Sequence, residues 1–314
     1  MEWYYWVIII VLALIIIGQF VGAYYGFRYI IPMKPQSDSL LNRDLDNSKF
    51  QKHKEKIIEN ILFMQEKEYV DVYITSKDKL KLHGCYINNN SDTTVLFVHG
   101  YRSRGLNDFA WPMRKVYEKG YNILHIDQRC HGQSEGKYVT FGIKERIDVL
   151  NWVNYINKNY KPKNIVIYGM SMGCATSSMA LPLMPSNVKC AILDCGFSGV
   201  YKLMVKQTKD MIKVDAHLPV LIMNIYCKLI AGFSMFKASP KKALSKINIP
   251  CFFIHGTEDS VIPLSHTIEN YEACGSKVKD FAYIEGAEHG MSYYDDYPNL
   301  EQRVMKFIEE AIEM

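Results

Sequence analysis

The chain changes its hydrophobic pattern several times from the N-terminus onward. Residues 3–27 contain no Asp, Glu, Lys or Arg, a run long enough to cross a bilayer as a helix. Aromatic side chains gather at its ends, with Trp3, Tyr4, Tyr5 and Trp6 on one side and Tyr24, Tyr25, Phe27 and Tyr29 on the other, as they do at membrane interfaces. A buried core helix is rarely apolar all round over such a length. Residues 32–67 are polar and charged, with Pro35-Gln36-Ser37-Asp38-Ser39 reading as a linker and 52–66 as a helical stretch. Runs 69–75 and 80–87 alternate around Ser76-Lys77-Asp78-Lys79 as a hairpin would. Beyond them, apolar runs at 95–98, 122–126, 165–168, 191–193, 250–255 and 281–284 alternate with helical segments at 109–119, 142–159, 174–183 and 264–273. Short continuous apolar runs suit strands buried on both faces. Their repetition with helices predicts a mostly parallel sheet covered on both sides, with ligands at the strands' C-terminal ends.

The run 165–168 leads into Gly169-Met170-Ser171-Met172-Gly173. A serine between two glycines at a strand-to-helix corner is held in a strained turn that lifts its hydroxyl above the sheet. The motif alone also describes a serine in a glycine-rich turn. A serine hydroxyl needs a base to become nucleophilic, and the base needs an orienting acid. Asp259 follows the run 250–255 in the turn Gly256-Thr257-Glu258-Asp259, and His289 lies in the loop after 281–284, within Glu288-His289-Gly290. Glu258 and Asp194 compete for the acid role, and Asp259 also reads as a turn residue capping the helix after Pro263. Among the other histidines, His53 lies in the charged N-terminal segment, His83 in an edge strand, and His217 and His266 in helical stretches. His289 has the position a base requires. The run 95–98 ends in His99-Gly100-Tyr101, where backbone amides are the useful chemistry. The amides of Met172 and Tyr101 are the candidate oxyanion donors, Met172 because it opens a helix N-terminus.

These motifs, together with Asp127-Gln128-Arg129-Cys130-His131-Gly132-Gln133-Ser134, resemble the α/β-hydrolase superfamily. Within it the chain is similar to serine-aminopeptidase-like hydrolases, a group that includes monoglyceride lipases and membrane-associated acyl-protein thioesterases. The resemblance covers residues 69–312. It implies an α/β fold with a mostly parallel eight-stranded sheet flanked by helices and a small helical lid. It also implies the chain order Ser171, Asp259, His289 for the catalytic residues. Asp127, Arg129 and His131 read as scaffold residues. The superfamily leaves the substrate open, since its members cleave esters, thioesters, amides and peptides.

Residues 199–244 depart from simple strand–helix alternation and sit where superfamily members carry lids. Leu203, Met204, Met211, Leu221, Ile222 and Met223 are among their apolar residues, which suit either contact with an acyl chain or ordinary core helices. Arg102 and Arg104 follow Tyr101 as loop cations that either meet an anionic headgroup or face water. Net charge of +4 over 314 residues argues against a nucleic-acid surface. Eight cysteines show no metal-ligand spacing, so neither a metal nor a cofactor is expected.

The division that follows is an anchor at 1–31, a juxtamembrane connector at 32–68 and a hydrolase domain at 69–314. Val21-Gly22-Ala23 resembles a signal-peptide cleavage site, but Met1-Glu2 lacks the positive start of a signal peptide. Arg28, Lys34 and Arg43 follow the span, which favours a cytoplasmic catalytic domain on a single-pass anchor. The expected activity is a membrane-anchored serine hydrolase acting on esters or thioesters of a small-molecule or lipid-like acyl substrate. Its alternatives are an aminopeptidase-like amidase and a non-catalytic tethered binding protein. Oligomeric state stays open.

Overall fold

A computed structural model describes residues 2–33 and 48–314. The linker reading at 35–39 and the basic residues Lys34 and Arg43 lie outside the described residues. Eight strands among the described residues form one sheet: β1 (Val70–Thr75), β2 (Lys81–Ile87), β3 (Thr93–Val98), β4 (Asn122–Ile126), β5 (Asn164–Met170), β6 (Val188–Asp194), β7 (Cys251–Gly256) and β8 (Lys279–Ile284). Their spatial order is β1-β2-β4-β3-β5-β6-β7-β8. The pairings β1·β2 and β2·β4 are antiparallel and the others parallel. His83 therefore sits on an interior strand, with β1 as the edge, because the hairpin adds β1 outside β2.

Strand periodicity distributes side chains to two cores. Val95, Phe97, Val166 and Tyr168 enter one cluster with the helices Gly105–Glu118 and Asn299–Glu313. Their neighbours Leu96, Val98, Ile165 and Ile167 enter the cluster on the opposite face, with Trp152, Val153 and Ile156 of the helix Glu145–Asn159. Because both faces are covered, these strands read as continuous apolar runs. Each fully buried side chain of this size stabilises the fold by about 1.5–3 kcal/mol.

The helix Lys54–Gln65 buries Ile57, Ile61 and Met64 against the domain, largely on the helix Gly105–Glu118. The polar-looking segment before Tyr69 thus contributes to the core. The insertion 199–244 folds mainly as the helices Val200–Ile212 and His217–Tyr226 and a short helix Pro240–Leu244. It builds a third cluster over the C-terminal ends of the strands, in which Leu203, Met204, Val220 and Met223 meet Met172 and Phe197.

The first helix, Trp3–Ile30, joins that third cluster through Ala23 and Phe27, its only buried residues. Its most apolar 18-residue window has a mean hydropathy of 2.7. At its C-terminal end, the Tyr101 hydroxyl donates to the Ile30 carbonyl at 2.8 Å and the Arg102 guanidinium to the Tyr29 carbonyl at 2.5 Å. A cation there also complements the helix dipole. Arg102 is thus engaged by the protein itself.

Candidate active site

Strand β5 ends at Met170, and the helix Met172–Ala180 begins immediately after Ser171. Ser171 adopts φ +56° and ψ −119°, a conformation that costs a non-glycine residue roughly 1–3 kcal/mol. The flanking glycines follow from the tightness of the corner. A Cβ at Gly173 would lie 1.8 Å from the Val98 carbonyl oxygen, and one at Gly169 would lie 2.6 Å from that of Gly173. The Ser171 amide donates to the Asp194 carbonyl at 2.9 Å, tying the corner to β6.

The loops after β7 and β8 bring Asp259 and His289 to this corner. His289 Nε2 lies 3.0 Å from Ser171 Oγ, and His289 Nδ1 lies 2.7 Å from Asp259 Oδ2. Asp259 Oδ1 accepts the amides of Val261 and Ile262 at 2.9 and 2.7 Å, so the residue both organises its turn and faces His289. Burial would raise the Asp259 pKa, but His255 and His289 outweigh it and hold the carboxyl well below its usual range. The rival acids lie elsewhere: Glu258 is exposed, and Asp194 is buried at the end of β6. Burial pushes the Asp194 carboxyl up to about 7.

Met172 follows the serine in the chain, and Tyr101 lines the same cavity. A Cβ on Gly100 would sit 3.2 Å from Ser171 Cβ, so this loop packs directly on the elbow. Several bonds pin it. The Gly100 amide donates to Asp108 Oδ2 at 2.7 Å, and the amides of Gln128 and Arg102 donate to His99 Nε2 and His131 Nε2, each at 3.0 Å. An amide donating to an imidazole nitrogen requires that nitrogen to be unprotonated, and burial lowers the His131 pKa to about 3. His131 is therefore a neutral loop support. Arg129 grips both oxygens of Asp148 at 2.7 and 2.9 Å and both of Asp78 at 2.9 and 3.1 Å. Asp127 accepts from His83 and from the Gln133 amide.

Three neighbours of the site escaped the sequence reading. His255 lies 3.2 Å from Asp259 Oδ2 through Nε2, and its Nδ1 meets Thr267 Oγ1 at 2.7 Å. Glu288 accepts the His289 amide and the Ser260 hydroxyl, which links the acid loop to the base loop. Cys195 Sγ lies 4.0 Å from His289 Nε2. His255 precedes Asp259 by four residues, and Glu288 adjoins His289; those spacings were the available signals. Ligand atoms also cluster closely enough for a metal at Cys195, Asp259 and His289 and at Asp71, His83 and Cys85. In both groups the imidazole nitrogens already face carboxylates or the serine.

A cavity of about 650 Å³ opens over Ser171 and Met172. Phe141, Phe197, Leu203 and Met204 line it together with residues of the first helix, and among the described residues its lining contains no Asp or Glu.

The family described as α/β hydrolase fold matches residues 93–215, and the one described as serine aminopeptidase, S33, matches residues 204–295. The esterase Pf2001 of Pyrococcus furiosus superposes with a TM-score of 0.67 at 25% identity, covering 90% of this chain and 98% of its own. The uncharacterized protein YqkD of Bacillus subtilis is 24% identical over 297 residues, covering 92% of both chains. The human α/β hydrolase domain-containing protein 17B is 25% identical over 252 residues, covering 79% of this chain and 78% of its own. The chain has the α/β-hydrolase fold.

Proposed function

We propose that the protein is a membrane-anchored serine hydrolase that cleaves carboxylic esters or thioesters through an acyl-enzyme on Ser171. The observation that carries the reading is the Ser171–His289–Asp259 relay, with contacts of 3.0 and 2.7 Å, whose serine lines a largely apolar cavity. As Ser171 Oγ attacks the carbonyl carbon, its proton passes to His289 Nε2. The charge left on the substrate oxygen is held by the amides of Tyr101 and Met172. Asp259 orients the imidazole and stabilises its cation. The tetrahedral intermediate collapses, the leaving alkoxide or thiolate takes the proton from His289, and water repeats the sequence to free the acid.

The esterase Pf2001 supports the ester preference over an amide. The serine aminopeptidase match over 204–295 favours peptide cleavage as a second reading. Against it, an aminopeptidase binds a free ammonium, and among the described residues no carboxylate lines the cavity. The exposed, uncharged body of the Trp3–Ile30 helix supports the anchor, and Arg28 at its C-terminal end favours a cytoplasmic catalytic domain.

Ser171→Ala should lower kcat by roughly 10⁶-fold and remove labelling by a fluorophosphonate probe; undiminished labelling excludes Ser171 as nucleophile. Faster turnover of aminoacyl amides than of acyl esters favours the peptidase reading. Failure of the wild type to react with any serine-directed probe favours a non-catalytic binding protein.

A further inference from the structure

The first helix lines the cavity above Ser171. Gly22, Tyr25, Gly26 and Tyr29 form one wall and Leu203, Met204 and Met211 the facing one. A second hollow of about 350 Å³ lies farther toward the N-terminus of the same helix, where Gly18, Gly22 and Gly26 face Met211, Ile212 and Met223. The two hollows share Gly22, Gly26, Ile30, Thr208 and Met211, so they form one groove that starts at the serine and follows the helix.

The glycines create this space. Positions four apart lie on one helix face, and a Cβ at Gly18 or Gly22 would meet nothing within 4 Å, while one at Gly26 would meet Met223 Sδ at 3.6 Å. Positions 18 to 26 span about 12 Å of helix axis. Among the described residues neither hollow is lined by Asp, Glu or Lys, and the one arginine, Arg102, donates to the Tyr29 carbonyl. An elongated and largely apolar groove fits a hydrocarbon chain. Its far end runs beside residues of the helix that are apolar and exposed, Leu14, Ile15, Ile16 and Ile17 among them, so its occupant comes from the bilayer.

We propose that the Gly18, Gly22 and Gly26 face of the anchor helix is a wall of the active site, and that the groove it forms with the helix Val200–Ile212 receives the acyl chain of a bilayer-resident lipid ester, end-on to Ser171. The inference rests on Ser171 as nucleophile and adds a substrate class and a selectivity device. The anchor then measures the acyl chain besides holding the enzyme at the membrane.

The test uses the full chain in phosphatidylcholine vesicles, with 4-nitrophenyl hexadecanoate and 4-nitrophenyl acetate as paired substrates. Gly22→Leu fills the groove from a position with open space around it. The ratio of long-chain to short-chain kcat/KM should fall about tenfold or more, with a smaller fall for Gly22→Ala. Val21→Leu, an exposed site that lines neither hollow, should leave the ratio unchanged. An unchanged ratio in Gly22→Leu, or equal loss on both esters, overturns the groove assignment. So does a change confined to oligomeric state, because glycines at this spacing also pack helices together in membranes. Those results leave the hydrolase reading standing. Wild-type protein that cleaves neither ester, or Ser171→Ala that still cleaves both, removes that reading and the groove with it.

Discussion

Gly256 and Ala287 approach so closely that a Cβ on the glycine would lie 2.1 Å from the alanine carbonyl oxygen. The contact clamps the end of β7 against the loop after β8, and the Glu258 amide reinforces it by donating to the same carbonyl at 3.1 Å. Asp259 and His289 meet because their loops share this clamp. Gly256→Ala must push the loops apart, with a destabilisation of about 1–3 kcal/mol. Thermal unfolding should show that loss, and kcat of the folded fraction should fall as well. A variant with wild-type kcat would mean that the clamp does not set the distance between acid and base.

The two adjacent carboxylates separate cleanly by substitution. Asp259→Asn keeps the shape of the side chain but loses the charge that holds the imidazole, and kcat should fall by roughly 10⁴-fold. Glu258→Gln changes an exposed side chain and should stay near wild type. Steady-state kinetics on a short ester decides between them; the opposite ranking would transfer the acid role to Glu258.

Arg129 tests whether the Asp-x-Arg-x-His-Gly segment is scaffold. Its guanidinium is buried between Asp148 and Asp78. Arg129→Met leaves Asp148 buried without its partner, a loss of roughly 3–5 kcal/mol. Denaturant unfolding should register it, while KM measured on the remaining folded enzyme should hold. A selective rise in KM would instead place Arg129 against substrate.

Asp194 gives the stability a dependence on pH. Burial raises its pKa from 3.8 in the unfolded chain to about 7 in the fold. A group with a raised folded pKa contributes stability that is complete below the unfolded value and is lost as pH rises through the folded one. The window therefore runs from about pH 4 to about pH 7. Asp259, with a depressed pKa, acts in the opposite sense in acid. Asp194→Asn removes the first contribution, so its melting temperature should gain on the wild type as pH rises from about 4 to about 7. A constant difference across that range would show that Asp194 does not titrate in the folded protein.

Strand and helix order was legible because each element carries its own periodicity. The run 122–126 coincides with β4, and the segment 264–273 with the helix Leu264–Ala273. Chain order also singled out Ser171, Asp259 and His289, since each follows an apolar run and a sheet of parallel strands puts all such positions at one edge. Boundaries were less legible, as where the helix read at 109–119 starts at Gly105. A helix N-terminus is decided by which amides find partners, and composition says little about that. The neighbour Cys195 was not legible at all, because its proximity to His289 comes from the pairing of β6, β7 and β8.

The sequence by itself determined the layered α/β architecture, the elbow and a predominantly apolar first helix of bilayer length, because these follow from local spacing of apolar, glycine and charged residues. Only the tertiary structure decided that this helix lies against the insertion and borders the serine's cavity. Glycines at 18, 22 and 26 look the same in sequence whether their face is filled or hollow. The difference depends on Met211, Met223 and the helix Val200–Ile212, which are distant along the chain and arrive by folding.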